Sequence, residues 1–238
     1  MENPAKIQGN VFSLGGGSIY NQSAITGVYS TSTYSVNFPV SDDDINNWIN
    51  QGSAGKTIIG DLILTNKSTT TVGALKITGN LDIKNGLLTL NGPLYVMGNL
   101  TVGGPSGGIQ LSSTYGTTSE TIVVNGIITI KTGAYIIGSG TVGSNILLVT
   151  TNTSGCADYN CTDVSPAINV SQSSLADTIL VAPHGAVYLG NNSNTKGVLA
   201  NYLYMSNASN IFYDKSLVGT SFKSSTSTFW SINNLDEI

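Results

Sequence analysis

Three stretches align without a gap: Lys56-Thr-Ile-Ile-Gly-Asp-Leu-Ile-Leu64, Leu75-Lys-Ile-Thr-Gly-Asn-Leu-Asp-Ile83 and Leu94-Tyr-Val-Met-Gly-Asn-Leu-Thr-Val102. Their glycines, Gly60, Gly79 and Gly98, are 19 residues apart each time. At that offset some columns are chemically uniform: Ile58/Ile77/Val96, Leu62/Leu81/Leu100 and Leu64/Ile83/Val102. The positions between them vary freely, as in Thr57/Lys76/Tyr95 and Ile63/Asp82/Thr101. Alternation of a conserved apolar side with a variable side is the period-2 pattern of strands. A fixed period of this length marks a repeat architecture, in which like side chains of successive units stack into one core.

Within one period the pattern predicts three short strands, at 81–83, 88–90 and 94–96. The expected fold is therefore all-β: a right-handed three-sided parallel β-helix, or β-solenoid, of about 19 residues per turn. The pairs Gly60-Asp61, Gly79-Asn80 and Gly98-Asn99 stand at one corner, where Gly, Asp and Asn tolerate a left-handed backbone. Stacked Asn side chains can also bond along such a column.

The pattern continues less regularly through 121–130 and 134–138. Strand-like runs resume at 146–149, 168–170, 178–181, 186–189, 198–200, 203–205 and 211–213. The Pro/Gly/Ser-rich stretch 103–119 reads as a loop inserted between turns, and 151–166 as a second. Eight or nine turns, at about 4.8 Å each, would build a rod about 40 Å long.

One helix is expected over 42–51. Ser41-Asp-Asp-Asp44 opens it as a capping-box-like start with acids in the first turn, and Ile45, Trp48 and Ile49 give it an apolar face. Gly52 is placed to end it. Since the exposed end of a solenoid needs a cap, the helix is expected to cover that end or one flank. Residues 11–40 offer a further strand-like layer. The chain thus divides into 1–54, an N-terminal layer with the helix, and 55–238, the repeat, the two together forming one structural unit.

The 238 residues include 28 glycines and only 9% charged side chains, against about 25% in a typical domain. All nine basic residues are lysines, and the net charge is −4. Without arginine or a cationic cluster, nucleic-acid binding is disfavoured. The low charge argues equally against disorder. No apolar run is long enough for a signal peptide or a membrane span, so the chain is expected to be either cytosolic or exported after trimming upstream of residue 1.

Chemistry-bearing motifs are few. Cys156 and Cys161, in a C-x4-C pair, lack the partners for a zinc site and are expected to close a small disulfide loop, with two free thiols as the alternative. A disulfide implies an oxidising compartment. Gly138-Ser-Gly140-Thr-Val-Gly143 matches G-x-G-x-x-G, yet a strand follows where a phosphate-binding loop requires a helix. His184 is the single histidine, in a turn-like Pro-His-Gly context.

Glycoside cleavage needs two carboxyls about 5–9 Å apart. Asp61 and Asp82 fall in different columns, Asp42–Asp44 belong to the helix start, and Asp158 and Asp163 to the cysteine loop. No catalytic, metal or cofactor site is assigned. An ice-binding face would need a regular Thr lattice, which the mixed outward columns break.

The segment Lys196-Gly-Val-Leu-Ala-Asn-Tyr-Leu-Tyr-Met-Ser-Asn-Ala-Ser-Asn-Ile-Phe-Tyr-Asp-Lys-Ser-Leu217 resembles the close of exported solenoid domains found with type IV pilus components. The tail Phe229-Trp-Ser-Ile-Asn-Asn-Leu-Asp-Glu-Ile238 looks like the terminal segment of such proteins. Together with the Gly-Asn/Asp corners, the resemblance covers roughly residues 55–238. It implies an extracellular or cell-surface module whose partners are pilus or other surface subunits, and whose relatives carry an apolar prepilin-like anchor helix that this stretch lacks.

The expected role is a non-enzymatic rigid scaffold for adhesion or assembly, with loops 103–119 and 151–166 contacting partners. The alternatives are end-to-end self-assembly, an ice- or glycan-binding solenoid and, last, a polysaccharide-cleaving β-helix.

Overall fold

Leu81–Lys84 pairs in parallel with Leu62–Leu64 on one side and Leu100–Gly103 on the other, in the register Leu62–Leu81–Leu100. The same relationship recurs along most of the chain. The computed structural model describes residues 6–8, 11–14, 29–32, 40–65, 67–155, 165–171, 174–212, 221–222 and 230–231. Within these the pairings fall into three ladders, each strand bonding to the third strand before it and the third after.

The first ladder runs through Lys56–Ile58, Leu75–Ile77, Leu94–Val96, Glu120–Val124 and Ile146–Thr150. It continues through 178–182 and 197–200, parts of the long strands Ser174–Leu189 and Asn194–Met205. The second holds Leu62–Leu64, Leu81–Lys84, Leu100–Gly103, Ile128–Ile130 and Ile168–Val170, then 186–189 and 202–205. The third holds Thr69–Val72, Leu87–Leu90, Gly108–Leu111 and Tyr135–Ile137, then the starts of the two long strands, Asn210–Phe212 and finally Lys6–Gln8.

All these pairings are parallel, and the ladders join into one nearly closed sheet of 18 strands. Val11–Leu14 and Tyr29–Ser32 form a separate parallel pair, and Ser221–Phe222 and Trp230–Ser231 a small antiparallel one.

Apolar columns enclosed by the ladders form the main core. Ile77, Leu81, Ile83, Leu88, Leu90, Leu100, Val102, Ile109, Ile128, Ile130 and Ile168 are all fully buried in one cluster. Val96 joins them, with Leu64 at the rim, while Ile58 and Leu62 in the first repeat are only half-buried. Full burial of a Leu or Ile side chain contributes about 1.5–3 kcal/mol, so the stacked columns dominate stability.

The stretch 103–119, expected as a loop, contains a strand. Gly108–Leu111 buries Ile109 and Leu111 and bonds to both Leu87–Leu90 and Tyr135–Ile137. Flanking Pro105, Gly104 and Gly107 hide the two-residue alternation, which is all that four residues can show. A 3-10 turn, Ser113–Tyr115, follows. In 151–166, residues 151–155 are irregular, and the cysteine loop, with Cys156 and Cys161, lies outside the described residues.

Helix α1 spans Asp42–Ser53. Ser41 Oγ accepts from the Asp44 backbone N–H at 3.2 Å, and the Ser41 N–H donates to Asp44 Oδ2 at 3.0 Å, a reciprocal capping box. Gly52 does not end the helix, which is capped at Ala54. Gly52 instead lets the helix approach the sheet: a Cβ there would sit 2.8 Å from the Tyr95 Cβ. The helix lies on a flank, against Leu75–Ile77, Leu94–Val96 and Glu120–Val124.

Its apolar residues Ile45 and Trp48 share a second buried cluster with Val40, Tyr95, Val123, Leu147, Val149, Ile179 and Val181, which lie on the outer side of the first ladder. That is why Glu120–Val124 and Ile146–Thr150 are buried along their whole length. Parallel strands covered on both faces read as continuous apolar runs.

Candidate functional site

The corner after the first ladder is held by side chains. Asp61 Oδ1 accepts from the Asn80 N–H at 2.7 Å and from Asn80 Nδ2 at 3.2 Å. Asn80 Oδ1 accepts from the Asn99 N–H at 2.8 Å, and Asn99 Oδ1 from the Ile127 N–H at 2.8 Å. Of the three glycines only Gly60 has a left-handed backbone (φ +87°). Gly79 and Gly98 serve another purpose, close stacking: a Cβ on Gly79 would fall 2.2 Å from Asp61 Oδ1, and one on Gly98 2.6 Å from Asn80 Oδ1. Further left-handed positions, Lys67, Asn85 and Gly104, sit at the next corner.

Several other polar groups make structural contacts. Glu120, almost wholly buried, accepts from the Tyr115 hydroxyl at 2.7 Å and from the Thr121 N–H at 2.9 Å. Burial, then the charge of Glu120 and its hydrogen bond, push the Tyr115 phenol well above its ordinary value. His184 Nε2 lies 3.0 Å from Asp42 Oδ1 at the start of α1, joining helix to sheet across an exposed contact. Gly138–Gly143 forms a turn, with Gly140 and Gly143 at positive φ, and the strand Ile146–Thr150 follows it. Ile63 faces Asp82 across the second ladder, and Asp82 pairs with Lys84 at 2.9 Å. Among the described residues, no group of three His, Cys, Asp or Glu side chains could hold a metal ion, and no helix is long and apolar enough to cross a membrane.

The three ladders differ on their outer sides. The first is covered by α1 and the apolar cluster beneath it. The third shows Thr71, Thr89 and Gln110, with Gln110 Nε2 bonded to Thr89 Oγ1 at 3.3 Å. The second carries one continuous column in register: Ile63, Asp82, Thr101, Thr129, Asn169, Tyr188 and Tyr204. A groove of about 240 Å³ opens on it, lined by Asn99, Thr101, Ile127, Thr129, Ser165, Pro166 and Asn169. Every lining residue among the described residues is uncharged. Asn169 Oδ1 is shut off from solvent without a hydrogen-bond partner. Beside it Tyr188 is 37% exposed, and Tyr202, on the same side of the neighbouring strand, 41%.

A fixed 19-residue offset does not find this column. The spacing stretches to 28 residues between Leu100 and Ile128 and to 40 between Ile128 and Ile168, where the loops intervene. The signal that remains is local: single polar or aromatic residues flanked by apolar ones, as in Ile128-Thr-Ile130, Ile168-Asn-Val170 and Val187-Tyr-Leu189. The chain matches no protein-family model, no curated protein and no solved structure.

Proposed function

We propose that the chain is a non-enzymatic structural module: a right-handed three-sided parallel β-helix, displayed outside the cell and working as a rigid scaffold with pilus or other surface subunits. The observation that carries this reading is the in-register stacking of like side chains, Leu62–Leu81–Leu100–Ile128–Ile168–Val187, beside outer positions that vary freely. Such a column ties each repeat to its neighbours and stiffens the whole. Its most buried carboxylate, Glu120, is taken up by structural hydrogen bonds from Tyr115 and the Thr121 N–H, which suits a scaffold better than an enzyme.

The test joins shape to activity. Small-angle scattering of the full chain should give an elongated particle, and a panel of polysaccharides should survive incubation with it uncut. A compact isotropic particle, or cleavage lost on replacing Asp82, would overturn the reading.

A second reading, end-to-end association, is favoured by the first repeat. Ile58, Leu62 and Val72 stay half-buried where their successors Ile77, Leu81 and Leu90 are fully buried, and Ile59 is 91% exposed. Among the described residues these strands keep apolar side chains only partly covered, and a strand edge of that kind invites pairing. Sedimentation velocity over a wide concentration range tests it, and a monomer throughout would exclude it.

A further inference from the structure

We infer that the outer side of the second ladder binds an uncharged polysaccharide. This goes beyond the scaffold reading and would stand or fall without affecting it. Among the described residues, the groove's polar groups are amides and hydroxyls, from Asn99, Thr101, Thr129, Ser165 and Asn169, which give and take directional hydrogen bonds without favouring either sign of charge.

Asn169 lines the groove with an amide, a group suited to sugar hydroxyls. One strand further along the same column Tyr188 begins an aromatic surface that Tyr202 extends. Tyrosine offers a flat apolar face together with a polar tip, which suits the apolar C–H face and equatorial hydroxyls of a pyranose ring.

The spacing fits a chain molecule better than a single small one. Thr101, Thr129, Asn169 and Tyr188 occupy four successive strands, with steps of about 4.8 Å, close to the length of one sugar unit. A protein partner would demand a different surface, since the centre of a protein interface is apolar. Here the groove lining is mostly polar, with Ile127 and Pro166 its only apolar residues among those described. Ice would demand a flat, regular array, and threonine occupies only two successive positions of the column.

The experiment presents the full chain to an array of neutral and acidic glycans, then measures the affinity of the retained neutral glycan by calorimetry. Retention of at least one neutral glycan is expected. Tyr188→Ala and Asn169→Ala should each weaken it about tenfold, equivalent to about 1.4 kcal/mol. Tyr188→Phe, which keeps the ring, should stay close to the native affinity, and Thr71→Ala on the third ladder should change nothing. Circular dichroism confirms that each variant is folded. The proposal is overturned by no retention of any neutral glycan, by retention of acidic glycans alone, or by an affinity unmoved in both alanine variants. Thermal hysteresis abolished by Thr101→Tyr would assign the face to ice and overturn it equally.

Discussion

The backbone N–H of Asn99 donates to Oδ1 of Asn80, 19 residues earlier in the chain, at 2.8 Å. That bond and its neighbour from Asn80 to Asp61 lock the corner of each repeat onto the next, at the same positions where Gly79 and Gly98 leave no room for a side chain.

Replacing Asn80 by alanine removes the acceptor of the Asn99 N–H and the side-chain donor to Asp61, while the backbone N–H of residue 80 keeps its bond to Asp61. Because the corner is solvent-exposed, the loss should be about 1 kcal/mol. It is read as a lower denaturant midpoint with an unchanged slope.

Gly98→Ala should cost more than a helix-type glycine substitution, about 1–3 kcal/mol, because its Cβ would press on the carbonyl of Gly79 at 2.6 Å. Gly73→Ala is the control. Its Cβ would meet nothing nearer than the Asn91 carbonyl at 4.0 Å, so its melting temperature should stay near that of the native chain.

Leu81→Ala hollows the centre of the stacked column, where the side chain is fully buried. The expected destabilisation is about 2–5 kcal/mol. Thr101→Ala, on the outer side of the paired strand, should stay within about 0.5 kcal/mol, which separates inner from outer positions by chemical denaturation.

Trp48→Ala should strip α1 from the flank, since Trp48 is buried among Tyr95, Val123 and Ile45. A cost of about 3–5 kcal/mol is expected. Hydrogen exchange should then speed up across 42–53 while the amides of 81–84 and 100–103 keep their protection.

Tyr115 supplies a pH dependence. Burial and Glu120 raise the phenol above its unfolded value, so the folded state keeps its proton where the unfolded chain releases it. The group's contribution is fully present below pH about 10 and declines as pH climbs beyond it. Tyr115→Phe should therefore flatten the fall in stability at alkaline pH, measured by urea unfolding at successive pH values.

The parallel strands and their register over residues 56–102 were legible because three gapless repeats repeat one inner pattern. Beyond residue 102 the inserted loops change the offset, so neither the strand Gly108–Leu111 nor the column of Thr129, Asn169 and Tyr188 could be placed by counting. The flank position of α1 was written in the continuous apolar runs Ile122-Val-Val124 and Ile146-Leu-Leu-Val149, whose lack of alternation reports cover on both sides. The role of Gly79 and Gly98 was hidden for another reason. Sequence marks a glycine but does not distinguish a left-handed turn from a close approach of two backbones. The groove was the least legible part, being assembled from residues 99 to 169 across three turns of the chain.

The central claim, that the repeats stack one upon another, is tested most directly by one distance. Spin labels at Ile63→Cys and Tyr188→Cys, in a chain with Cys156 and Cys161 replaced by serine, report on positions five strands apart in a single register. Pulsed dipolar spectroscopy should give a narrow distribution centred near 24 Å, five steps of about 4.8 Å. A broad distribution, or a mean below about 15 Å, three such steps, would contradict the stacked arrangement.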